Sequence, residues 1–240
     1  REWRALFDTA FAALHAPWLQ VVDPRRGAAR QSVVRAIPPC GHVAGLMAAM
    51  DLKRGVHASA ANQPLQWVQD LTLALDDERH GLLNSLGVDV VRAVPGRGIR
   101  LMGARTLSAD PDWRYVPVRR LMSMVARAID VAIQWAVFEP NEWRTRMKLQ
   151  LVIGAFLRGL WSRGALAGAA VEEAFWVRCD ETNNPPTTRE PGQLLIEVGL
   201  APVVPMEFIV LRIGREAGGF AITEGEAGLS FNGEPLAAGV

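Results

Sequence analysis

Two helical patterns in succession constrain the fold of this chain more than any other feature of its sequence. Between residues 118 and 137 apolar side chains recur every three or four positions, which predicts one long amphipathic helix. Glu139-Pro140-Asn141 then interrupts the pattern, and a second helix is expected over residues 142–162 with Asn141 as its N-cap. The core must therefore form around two helices that follow each other closely.

Strand patterns flank this helical pair. Residues 88–94 and 99–106 predict a β-hairpin, because Gly96 and Gly98 between them tolerate the positive φ of a tight turn. Further strands are expected over residues 19–22, 174–180, 194–198 and 207–213, and further helices over 3–15 and 42–52. The mixture predicts an α+β fold, a mixed β-sheet flanked by two long helices.

The chain of 240 residues is expected to form one conserved domain over residues 1–213. Residues 214–240 are rich in Gly and Ala and predict a C-terminal arm or extension, with a short strand at 220–223. The chain begins at Arg1 without an initiator Met, so we interpret it as a fragment or a processed product.

Composition excludes several classes of protein. The formal net charge is +1, so the chain does not have the excess of basic residues that is typical of a dedicated nucleic-acid binder. No apolar run reaches the roughly 18 residues of a membrane-spanning helix. Hydrophobic residues make up 50% of the chain and charged residues 21%, a balance that excludes disorder throughout.

No motif indicates catalysis or a bound cofactor. His42, Asp51 and Ser32 are hydrolase-type residues, but no Gly-x-Ser-x-Gly elbow accompanies them. The turn at 95–98 leads into a strand rather than into the helix N-terminus of a phosphate loop. Two cysteines cannot form a four-thiolate zinc site, and four scattered histidines give no metal-ligand spacing. We expect no enzyme activity, no cofactor and no metal; whether Cys40 pairs with Cys179 stays open.

Two groups of residues are candidates for packing or for recognition. Asp76, Asp77 and Glu78 lie beside Arg79, which indicates either a solvated helix face or an electrostatic patch for a partner. The tryptophans in or near predicted elements are expected chiefly in the core, with some as interface anchors; they are Trp113, Trp135, Trp143, Trp161 and Trp176.

Several short phrases stand in a fixed order over residues 1–213. They include PPCGHVAG at 38–45, PGRG at 95–98, GARTLS at 103–108, WRYVPVRRL at 113–121, FEPN at 138–141 and PMEF at 205–208. This ordered set resembles one known family, the contractile tail sheath proteins, which form the outer sheath of contractile phage tails, R-type pyocins and extracellular contractile injection systems.

The resemblance implies the C-terminal domain of a structural, non-enzymatic sheath subunit. Such subunits polymerise as helical stacked hexameric rings around an inner tube, and they contract to drive the tube through a target envelope. The partners implied are neighbouring sheath subunits, the inner tube protein, and baseplate and terminal cap proteins, without nucleic acid and without direct membrane insertion. The location implied is a virion tail or an extracellular contractile particle that is assembled in the bacterial cytoplasm. A low-copy baseplate or cap component is the alternative, and an unrelated enzyme is the third reading.

Two sites follow from the resemblance. Arms of neighbouring subunits complete a sheet by β-strand addition, and the run that suits such a shared sheet consists of Glu207, Phe208, Ile209, Val210, Leu211, Arg212 and Ile213. An ordinary central strand is the other interpretation of that run. The charged cluster at Asp76, Asp77, Glu78 and Arg79 is expected to face the inner tube.

Overall fold

The computed structural model describes residues 6–23, 34–186 and 193–206, and the backbone of Arg212–Glu216 and Gly219–Thr223. In chain order the elements are β1 (Leu14–Ala16), β2 (Leu19–Val22), β3 (Val34–Ile37), α1 (Cys40–Lys53), β4 (Asp70–Leu71), α2 (Asp77–Ser85), β5 (Val88–Val94), β6 (Gly98–Met102), α3 (Val116–Ala132), α4 (Trp143–Ser162), α5 (Val171–Ala174), β7 (Phe175–Arg178), β8 (Glu197–Leu200), β9 (Arg212–Glu216) and β10 (Gly219–Thr223). This mixture of helices and strands confirms the predicted class.

The chain divides into two compact units. The first contains Arg1–Ala49, Ser59–Val116 and Pro205–Val240, and the second contains Met50–Ala58 and Pro117–Val204. The strands form four small sheets, with orders β1-β5-β6, β3-β2-β4, β7-β8 and β10-β9. The sheet of β1, β5 and β6 is the mixed one, because β1 runs parallel to β5 while β6 runs antiparallel to it.

The β5–β6 hairpin has the predicted turn. Gly96 and Gly98 have φ values of +69° and +79°, which is the conformation that glycine adopts without steric cost. The second strand ends at Met102, four residues before the predicted end at residue 106. Val90, Val91 and Leu101 are fully buried, so this hairpin supplies a large part of the first unit's core.

The predicted helix over residues 3–15 is wrong for its described part. Residues 6–13 are not helical and lead into β1. Leu107 donates its N–H to the carbonyl of Ala12 at 2.9 Å, and Thr9 donates to the carbonyl of Leu107 at 3.4 Å. Pairing with a distant segment therefore satisfies the backbone here, and it overrides a helical pattern that is only a weak local preference.

The second unit contains the two long helices. Its core joins residues of both helices to β7 and α5, namely Leu121, Val125, Ile153, Leu157, Leu160, Ala165, Leu166, Ala174 and Phe175. The predicted N-cap is wrong, because α4 begins after Glu142 and has no side-chain cap. Asn141 instead donates its side-chain N–H to the carbonyl of Gln193 at 2.8 Å and accepts a bond from Arg146 at 3.0 Å.

Candidate assembly surfaces

The predicted charged cluster lies at the N-terminus of α2. Asp76 is the N-cap, and its Oδ1 accepts the backbone N–H of Arg79 at 2.8 Å. The Arg79 Nε lies 3.6 Å from Asp76 Oδ2, and both side chains are 61% exposed. Glu78 is exposed as well. An exposed pair of this kind contributes only about 0–1 kcal/mol, so these charges are accessible to a partner at little cost to the fold.

Asp77 has a different role, because it holds α2 against the hairpin. Arg92 of β5 donates from Nη1 to Asp77 Oδ1 at 2.6 Å. The buried His80 on the same helix has its Nε2 3.1 Å from the carbonyl of Met102. Burial lowers the pKa of His80, which keeps its ring neutral. The charged end of α2 therefore has a fixed position on the first unit.

The β7–β8 sheet is a candidate for receiving further strands. Its inner face packs on the core of the second unit through Phe175, Val177, Val198 and Leu200. On its outer face the indole of Trp176 lies over Gly199, where an added Cβ would fall 2.1 Å from the indole Nε1. Among the described residues neither strand pairs with a third strand. A two-stranded sheet is marginal by itself, so its open edges suit strand addition.

The predicted inter-subunit strand lies largely outside the described residues. Residues 207–211 fall there, whereas Arg212 and Ile213 lie in β9. The backbone of β9 pairs antiparallel with β10, with Arg212 opposite Thr223 and Ile213 opposite Ile222. The predicted strand at residues 220–223 thus forms part of β10.

Several tryptophans expected in the core lie on the surface. Trp143 is 58% exposed and Trp176 is 49% exposed. Trp161 follows the expectation more closely, since it packs against the core of the second unit and donates its indole N–H to the carbonyl of Gly168 at 3.0 Å. The sequence of α4 carries apolar residues on two faces, and the core covers the face of Leu149, Ile153 and Leu157 rather than that of Trp143.

Of the residues considered for catalysis, Asp51 has a structural role and Ser32 lies outside the described residues. Arg120 binds both carboxylate oxygens of Asp51, at 2.9 and 2.5 Å. Cys40 is an exposed free thiol and Cys179 a buried one, so the two do not pair, and burial raises the pKa of Cys179. Among the described residues no group of three or more His, Cys, Asp or Glu could hold a metal ion. Within the same residues no helix is both long and apolar enough to cross a membrane.

Two domain models of one family match consecutive parts of the chain and together cover residues 6–214. The phage tail sheath protein central domain matches residues 6–107, and the phage tail sheath C-terminal domain matches residues 108–214. The chain belongs to the contractile tail sheath family. Sheath proteins are structural and not enzymes, which agrees with the expected lack of catalytic activity.

Relatives and solved structures agree with this membership. The tail sheath protein of Vibrio phage KVP40 is 28% identical over 181 residues, which cover 74% of this chain and 26% of that protein. A chain of the contracted sheath complex of PVC, an extracellular contractile injection system, is 34% identical with a TM-score of 0.81; the match covers 90% of this chain and 59% of that one.

A third match is a chain of the six-fold symmetrised baseplate of the anti-feeding prophage. It is 36% identical with a TM-score of 0.80, over 88% of this chain and 56% of that one. This sequence therefore spans between about a quarter and three fifths of the proteins that it resembles. A sheath subunit of a phage tail or of an extracellular contractile particle is the class that these matches support.

Proposed function

We propose that the protein polymerises as helical stacked hexameric rings around an inner tube and contracts to drive that tube through a target envelope. The observation that carries the proposal is the likeness over 90% of the chain to a sheath complex in its contracted state. The six-fold symmetry of the related baseplate supports the hexameric ring. An interface that repeats head-to-tail without closing on itself generates the helical stack.

During contraction, subunits move as rigid bodies and exchange one set of contacts for another. This movement does not require a nucleotide. The two compact units of the chain, with their buried cores, suit bodies that move without unfolding. The extended sheath is then a kinetically trapped state, which a signal from the baseplate releases. Neighbouring sheath subunits, the inner tube, the baseplate and a terminal cap are the partners in this scheme, and assembly takes place in the bacterial cytoplasm. Neither nucleic acid nor insertion into a membrane has a part in it.

Strand addition keeps the moving subunits connected. We place the run from Glu207 to Ile213 and the arm over residues 214–240 in this role, and the open edges of the β7–β8 sheet support it. Replacing Ile209 by Pro removes a backbone donor and should abolish tubule formation, whereas Ile209→Val should preserve it. Normal tubules from the Pro variant would rule out pairing through this run.

The cluster of Asp76, Asp77, Glu78 and Arg79 is proposed to face the inner tube. Its exposure and its fixed position on α2 support this role, because weak exposed charges can guide assembly and then release during contraction. Glu78→Lys should reduce sheath assembly on purified tubes while leaving tube-free self-assembly intact. Glu172→Lys is the matched control, since Glu172 is exposed on the second unit. Equal tube binding by both variants would overturn the assignment.

A low-copy component of the baseplate or cap is the second candidate function. The match to a chain of the anti-feeding prophage baseplate favours it. Electron microscopy of the full-length gene product separates the two, because a sheath subunit forms long striated tubules whereas a cap or baseplate component forms only closed rings. A monomer at high concentration would refute both.

A further inference from the structure

Helix α4 presents a second apolar face that the fold of the second unit does not bury. Trp143, Met147 and Leu151 follow each other at intervals of four residues and therefore line one side of the helix. They are 58%, 50% and 67% exposed. Another face of the helix holds Leu149, Ile153 and Leu157, which are buried in the core. A continuous row of exposed apolar residues is a feature of docking surfaces.

Basic side chains border this row. Between Trp143 and Ser162 the helix carries four basic residues and no acidic ones. Arg146 is buried near Glu181, whereas Arg144, Lys148 and Arg158 are exposed and form no ion pair within the described residues. The Arg144 guanidinium lies 5.7 Å from the Trp143 ring centre, and the Lys148 ammonium lies 4.1 Å from that of Trp135. We call Trp143, Arg144, Met147, Lys148, Leu151 and Arg158 the α4 stripe.

The first unit carries a surface of opposite charge that also contains apolar residues. The hydrogen bonds that pair residues 9–12 with Leu107 place this segment beside the turn at Pro111–Trp113. Asp8 accepts the N–H of Ala109 at 2.9 Å, which fixes its carboxylate at the same place. We call Leu6, Asp8, Phe11, Asp110 and Asp112 the acidic patch.

The acidic patch is accessible and negative. Leu6 and Phe11 are 77% and 79% exposed, and the three aspartates are exposed as well. Residues 6–13 and 107–114 contain these three carboxylates and one basic residue, Arg114. Each surface thus combines exposed apolar side chains with exposed charges, and the charges of the two surfaces are opposite.

We propose that the α4 stripe of one copy of this chain docks on the acidic patch of the next copy. The inference rests on the proposed sheath role and names one interface of the assembly. Because the two surfaces differ, the contact does not close on itself, and it adds copies in one direction. Trp143 is the aromatic anchor of the contact, and the charge pairs beside it set the orientation of the two copies.

A charge-exchange experiment tests the proposal on the full chain. One variant carries Arg144→Glu and Lys148→Glu, and the other carries Asp110→Lys and Asp112→Lys. Self-association is measured by sedimentation velocity over a range of concentrations, with thermal unfolding as the check of folding. Each variant alone should associate at least about ten-fold more weakly than the native chain, because attraction becomes repulsion. An equimolar mixture of the two should recover association, since each altered surface then meets its complement on the other variant.

The other outcomes overturn the proposal. Recovery in a chain that carries all four substitutions, without recovery in the mixture, would place the contact within one chain. Native association by both variants would assign assembly to other surfaces and leave the sheath role intact. A native chain that never associates would contradict the sheath role as well.

Trp143→Ala tests the same contact without altering a charge, and we expect an effect of about ten-fold or more. Arg127→Glu reverses the charge of an exposed cation on α3, outside the proposed contact. It is the control for the charge-exchange variants and should associate like the native chain. Equal association by Trp143→Ala and the native chain would also overturn the proposal.

Discussion

The two apolar faces of α4 predict opposite results for two leucines on the same helix. Leu157 is fully buried in the core of the second unit, whereas Leu151 is 67% exposed on the α4 stripe. Leu157→Ala removes buried methyl groups and leaves a cavity, which should lower the free energy of unfolding by about 3 kcal/mol. Leu151→Ala should change it by less than about 0.5 kcal/mol, because the side chain loses few contacts and Ala favours helix.

The measurement is urea unfolding, followed by circular dichroism at a protein concentration low enough that the chain is monomeric. For a chain of this length, 3 kcal/mol corresponds to a fall in Tm of about 6–12 °C, and the slope of the urea transition should stay unchanged. A loss for Leu151→Ala as large as that for Leu157→Ala would refute the reasoning. The outer face of α4 would then be packed within the fold and not available to another copy.

Three further predictions concern the first unit and α4. Gly103→Ala should destabilise the fold by about 1–3 kcal/mol, because the added Cβ would lie 2.9 Å from a backbone atom of β5. Gly154→Ala should stabilise it by up to about 1 kcal/mol, because no atom lies within 4 Å of the added Cβ. Equal urea midpoints for the two variants would contradict this prediction. Asp76→Ala should cost about 1 kcal/mol by removing the cap on α2, and Asp76→Asn should cost little, as judged by thermal unfolding. Burial lowers the pKa of His80, so the unfolded chain takes up the proton first as the pH falls below about 6.5. The free energy of unfolding should therefore decrease below that pH. A urea midpoint that stays constant or rises between about pH 7.5 and 5.5 would contradict this prediction.

The elements that sequence reasoning found are those whose determinants are local. The β5–β6 hairpin depends on two glycines at positive φ, and both stand in the turn itself. The apolar rows of α3 and α4 likewise lie within single segments. The bounds of α4 agree with the prediction to within one residue, whereas α3 ends at Ala132, five residues before the predicted end at residue 137. The sheath family was recognisable because its short phrases occur in a fixed order along the chain.

The failures share a different cause, which is dependence on distant residues. The segment at 6–13 has a helical pattern, but its backbone pairs with Leu107, about a hundred positions away. Asn141 is of a residue type that favours the N-cap position, but its side chain forms hydrogen bonds with Gln193 and Arg146 instead. Periodicity likewise identifies two apolar faces on α4 but not which one the core covers, so Trp143 was expected inside and lies outside.

The absence of acidic residues from α4 restricts how free subunits can meet. If two copies approached with these helices face to face, their guanidinium and ammonium groups would be brought together across a two-fold axis and would repel. Closed pairs of that kind would remove monomers from the pool and would have to dissociate before a tail could lengthen. Within the proposed sheath role, like charge on this helix therefore disfavours such closed pairs and leaves head-to-tail addition as the alternative.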